Sequence, residues 1–91
     1  MELTFNKVSE SQWEATFEAS SDFNIHLERN NKGSITIAQR TAASGLFAPA
    51  FNIDSHQSSP VFDFDFGALV YPKWIKVISS SEVIKGEVTF A

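Results

Sequence analysis

Residues 62–66 read Phe-Asp-Phe-Asp-Phe, a large ring alternating with a carboxylate over five consecutive positions. Successive side chains on a β-strand point to opposite faces, so one side of this run is all phenyl and the other all charge. The same period of two recurs along the chain. In 12–19, Trp13, Ala15, Phe17 and Ala19 share one face while Gln12, Glu14, Thr16 and Glu18 share the other. In 22–29, Phe23, Ile25 and Leu27 alternate with Asn24, His26 and Glu28. A helix needs apolar residues three and four apart, which neither segment supplies. The chain is therefore expected to be all-β.

Turn chemistry divides the remainder. Asn30-Asn31-Lys32-Gly33 favours positive φ and a turn, after which 34–40 returns with Ile35 and Ile37 inward. Segments 12–19, 22–29 and 34–40 are then expected to form an antiparallel meander, with Arg29, Lys32 and Arg40 gathered as a solvated basic rim. In 46–53, Phe47, Phe51 and Ile53 share a parity, but Pro49 lacks a ladder donor and assigns this stretch to a sheet edge. Residues 54–60 form a polar loop, expected to be the most mobile part of the chain. Strand 61–66 points Phe62, Phe64 and Phe66 inward, with Phe64 expected at the centre of the core. Residues 73–78 carry apolar side chains at both parities. Residues 82–90 close the chain with Ile84, Val88 and Phe90 on one face and Gly86 marking a bulge or close contact. The opening segment 3–8 sends Leu3 and Phe5 inward. About eight short strands in 91 residues predict one domain over 1–91: a two-layer antiparallel β-sandwich, jelly-roll or Greek-key-like.

Composition narrows the function classes. Nine Phe and two Trp suit a small domain that needs much apolar area from few residues. A net charge of −4 with scattered Lys and Arg argues against nucleic acid. With no Cys, a disulfide scaffold and a thiolate metal site are excluded. Residues 1–7 lack a charged-then-apolar signal pattern, and no apolar run approaches the ~18 residues of a membrane span. The expectation is a soluble protein, cytoplasmic or virion-associated, with no membrane partner.

No catalytic motif stands out, so the chain is expected not to be an enzyme and to need no cofactor or metal. No Gly-x-Ser-x-Gly elbow and no phosphate-binding glycine loop occurs. Asp63 and Asp65 share a face with carboxylates about 6–7 Å apart. They are candidates for a Ca²⁺ site or an acid pair. As charges on a strand's outer face they also resist edge pairing, the simpler reading. His26 and His56 lie on different elements without metal-ligand spacing. Tyr71 and Trp74, flanking Pro72, are candidates for a sugar-stacking platform. Trp13 shares the core parity. The apolar surplus at both parities in 46–53 and 74–78 (Phe47, Leu69, Trp74, Ile78) is more than one thin interior holds, and Phe47 and Trp74 become candidate subunit-interface residues.

Two stretches, Asp22-Phe23-Asn24-Ile25-His26-Leu27-Glu28-Arg29 and Val70-Tyr71-Pro72-Lys73-Trp74-Ile75-Lys76-Val77-Ile78, resemble small β-sandwich structural proteins of tailed phages and prophages. The resemblance covers about a third of the chain. It implies a non-enzymatic domain that self-assembles, as a dimer or trimer, and transfers no functional residues. The leading expectation is a module working through protein–protein contact, as a homo-oligomer or with another protein. The alternative is a carbohydrate-binding module using Tyr71 and Trp74 with nearby polar residues such as Asp63 or Gln57.

Overall fold

The computed structural model describes residues 1–54, 59–67 and 70–91. Eight strands follow one another: β1 (Asn6–Ser9), β2 (Gln12–Ala19), β3 (Phe23–Arg29), β4 (Ile35–Arg40), β5 (Ala48–Ile53), β6 (Val61–Phe66), β7 (Lys73–Ser79) and β8 (Val83–Phe90). They form two antiparallel sheets, ordered β1-β2-β7-β4-β5 and β6-β3-β8. The alternation read from the sequence decides what faces inward. Ala15, Phe17, Ala19, Ile35, Ile37, Ile75 and Val77 from the larger sheet meet Phe23, Ile25, Leu27, Phe62 and Val88 from the smaller one. The result is the expected two-layer β-sandwich.

Strand order follows from rolling up one long hairpin. β4 pairs with β5, β3 with β6, and β2 with β7. The first residues complete the series beside β8, where the Leu3 amide donates to the Gly86 carbonyl at 2.9 Å and the Val88 amide to the Met1 carbonyl at 2.8 Å. All four pairings are centred on the 41–47 turn, the connectivity of a jelly roll. The expected meander of 12–19, 22–29 and 34–40 does not form. Strands β2 and β4 lie in the larger sheet and β3 in the smaller, because each intervening turn carries the chain across the sandwich.

The opening segment belongs to both layers. Residues 1–3 lie along β8, and after Phe5 the chain enters β1 beside β2. Leu3 is buried and Phe5 packs against the core, as their parity requires. Gly86 makes this possible: a Cβ there would stand 2.9 Å from the Phe5 ring and 3.3 Å from Leu3 Cβ.

Two inward assignments and one rim assignment change. A register shift places Glu28 opposite Lys85 but Arg29 opposite Val83. The extra residue turns Ile84 out to solvent and brings Val83 against the core. Phe64 is 42% exposed, whereas Phe62 on the same face is 7% exposed. Arg29 is no rim residue. It is buried and donates to the carbonyls of Gly33, Ser59 and Pro60 and to Ser79 Oγ, far from Arg40 at the other end of β4. The expectation that 54–60 is the most mobile loop falls largely outside the described residues, as do His56, Gln57 and Leu69.

Candidate functional site

The sandwich has one closed side and one open side. The segment that passes from β8 to β2 ties the sheets together on the first. On the second, β5 ends the larger sheet and β6 ends the smaller, each with a strand partner on one side only. Phe51 of β5 packs across the interior against the rings of β6 and is half-buried there. Between the two edges is a cleft of about 270 Å³ whose walls include Ile37, Ala50, Phe51, Phe64 and Phe66. The ring centroids of Phe51 and Phe64 are 4.9 Å apart, those of Phe64 and Phe66 5.0 Å, and those of Phe51 and Phe66 5.7 Å. Val61, 54% exposed, points the other way, to the outer face shared with Asp63 and Asp65.

The ladder phase decides which backbone groups β6 presents. The Arg29 amide donates to the Pro60 carbonyl at 3.0 Å. Antiparallel residues alternate between facing the partner strand and facing away. Phe62, Phe64 and Phe66 therefore direct N–H and C=O toward β3, and Asp63 and Asp65 direct theirs toward the unpaired edge. The two residues that offer main-chain donors and acceptors thus also carry the carboxylates.

Those carboxylates enter a polar network on the outer face of the smaller sheet. Asn24 Nδ2 donates to Asp63 Oδ1 at 2.7 Å and to Asp65 Oδ1 at 2.8 Å. His26 Nδ1 lies 2.8 Å from Asp63 Oδ2, and its Nε2 lies 2.9 Å from Glu28 Oε2. Hydrogen bonds to Glu28 and then Asp63 raise the His26 pKa above its ordinary 6.5. The amide of Asn24, and then His26, hold Asp63 below the usual carboxylate range, and His26 does the same for Glu28. An imidazolium with a carboxylate on each nitrogen is the favoured state. The expected acidic pair thus sits side by side, spoken for in part by Asn24 and His26. Among the described residues no group of three or more His, Asp or Glu side chains is placed to hold a metal ion.

The aromatic candidates separate. Phe47 folds back over the outer face of the larger sheet, with the Arg40 guanidinium 4.5 Å and the Lys76 ammonium 4.8 Å from its ring centroid. Arg40 also lies 5.9 Å from the Trp74 ring, so Phe47 and Trp74 share one cation. Arg40 donates to the Gly45 carbonyl at 2.6 Å, while its buried Nε has no hydrogen-bond partner among the described residues. Phe47, Arg40 and Trp74 gather on the face to which Ala38 points, and Ala38 is buried there. Part of the apolar surplus is therefore satisfied within the chain. Tyr71 does not join Trp74. It packs against the core, and its hydroxyl donates to Asp22 Oδ1 at 2.6 Å. Burial and that carboxylate push its pKa up to about 12.

No family model, curated protein or solved structure matches the chain.

Two buried cations complete the inventory. Lys73, 2% exposed, donates to Gln39 Oε1 at 2.7 Å, and burial lowers its pKa. It is closed off from solvent, as a structural lysine is. Arg29, also lowered by burial, fastens β3 to the turns at 33 and 59–60. Sequence reasoning missed Phe64 as a surface residue and Arg29 as a buried one. Period-two parity separates two faces of a strand but not the middle of a sheet from its rim. The one available signal was Pro49, which marked β5 as an edge and so its ring as half covered.

Proposed function

We propose that this chain is a non-catalytic module that works through protein–protein contact at its open side, as a component of a larger assembly such as a phage or prophage particle. The observation that carries the reading is the uncovered cleft between β5 and β6, where Phe64 is 42% exposed beside Phe51. Apolar area in this position is stabilised by being covered, and an unpaired strand edge beside it supplies directional hydrogen bonds. The sugar-platform alternative loses ground because Tyr71 and Trp74 are apart and the Phe47 ring lies against two cations.

Photo-crosslinking in the native cells tests the reading. Benzoylphenylalanine in place of Phe64 is expected to give protein adducts of discrete mass. The same residue in place of Ile84, exposed on the far strand β8, is expected to give none. Absence of adducts from position 64, or equal adducts from both, refutes the contact surface.

A further inference from the structure

We infer that the β6 edge accepts an extended segment of a partner protein whose side chains alternate between apolar and basic, added as a fourth main-chain-bonded strand to the smaller sheet. The inference rests on the contact reading above and specifies the partner.

Three observations converge on this occupant. The first is space: among the described residues β6 has a strand partner on one side only, and a strand added on its other side would run past the cleft lined by Phe51 and Ala50. The second is hydrogen bonding. Asp63 and Asp65 turn their N–H and C=O outward in the phase fixed by the bond from Arg29 to Pro60, so an incoming strand finds alternating donors and acceptors. The third is charge. An added strand in register sends every second side chain into the phenylalanine-lined cleft and the others to the outer face, beside the carboxylates of Asp63 and Asp65. Among the described residues only one oxygen of Asp65 accepts a hydrogen bond, and each Asp63 oxygen accepts one, so both carboxylates retain capacity for an ammonium or guanidinium. The Phe-Asp-Phe-Asp-Phe sequence thus selects its complement, apolar alternating with Lys or Arg.

The same charges argue against a second copy here. Antiparallel pairing of β6 with its own duplicate sets Asp63 and Asp65 against another pair of aspartates, and like charges across a strand pair are destabilising.

The probe is a fluorescein-labelled heptapeptide alternating valine and lysine, titrated with the intact protein at low salt and followed by anisotropy. Binding is expected. It should weaken at least about tenfold when alternate peptide nitrogens are methylated, because the strand then lacks the donors that face β6. A valine–glutamate counterpart should not bind. Asp63→Asn with Asp65→Asn should weaken binding at least about tenfold, whereas the charge-matched Glu10→Gln with Glu18→Gln should leave it within about twofold. Methylation is read on the unaltered protein, so an unfolded variant cannot imitate the result. The inference is overturned if the lysine peptide does not bind, if methylation changes nothing, or if both double variants weaken it equally, as a diffuse attraction to an acidic surface would. If position 64 crosslinks protein while the peptide fails, the contact surface stands and the strand partner falls. If neither works, both fall.

Discussion

Phe62 and Phe64 share a strand and a facing direction yet should differ sharply when truncated. Phe62 is enclosed by both sheets, so Phe62→Ala should destabilise by about 3–5 kcal/mol. Phe64 keeps much of its ring in solvent, and Phe64→Ala should cost only about 1–2 kcal/mol. Denaturant unfolding at a common slope separates the two, and equal losses would contradict the open cleft. His26 makes a different kind of prediction. Its raised pKa means its contribution to stability is full below pH 6.5 and lost as pH rises through the folded value. The lowered values of Asp63 and Glu28 mean theirs are full above 3.8 and 4.5 and lost as pH falls through the folded values. The network therefore contributes most between pH 4.5 and 6.5. Other charges on the same sheet face are Glu87, opposite His26, and Lys85, opposite Glu28. Melting temperature followed from about pH 4 to 9 should show a decline on the alkaline side that His26→Gln removes. An unchanged profile would mean that the imidazole has no net role.

At the scale of elements, strands were legible and their partners were not. Alternation in 12–19, 22–29 and 61–66 located β2, β3 and β6 because each strand has one buried and one wet face, and Pro49 correctly placed β5 at an edge. A turn sequence states that the chain reverses. It does not state whether the chain returns in the same layer or crosses to the other, which is why the meander over β2, β3 and β4 was wrong. The displacement of Ile84 by Val83 was equally hidden, since a one-residue bulge leaves local composition unchanged. The acidic pair on β6 was visible as a pair. Its neighbours Asn24 and His26 come from a strand nearly forty residues away, so no local spacing could supply them. Arg29 shows how elements are fastened once in place. Arg29→Met removes the donors to three backbone carbonyls and one hydroxyl, and should destabilise by about 2–4 kcal/mol in thermal or denaturant melts. A neutral result would assign those carbonyls to water.

Across the whole molecule, long-range pairing dominates, since β2–β7 and β3–β6 join residues from opposite halves of the chain. Folding is therefore expected in the millisecond-to-second range of non-local β-proteins, which stopped-flow refolding would show. The segment shared by both sheets gives the molecule the mechanics of a bound book. Its spine runs where Leu3 and Phe5 cross from β8 to β2, and its pages are the two sheets. Thermal excursions that part the pages are expected to begin at the fore-edge, where β5 and β6 each have a strand partner on one side only among the described residues. Amide exchange should accordingly be faster along β5 and β6 than at β7 and β3 in the middle of their sheets. A strand that settled at the fore-edge would hold the book shut, and would be felt as slowed exchange throughout both sheets, well beyond the residues it touches.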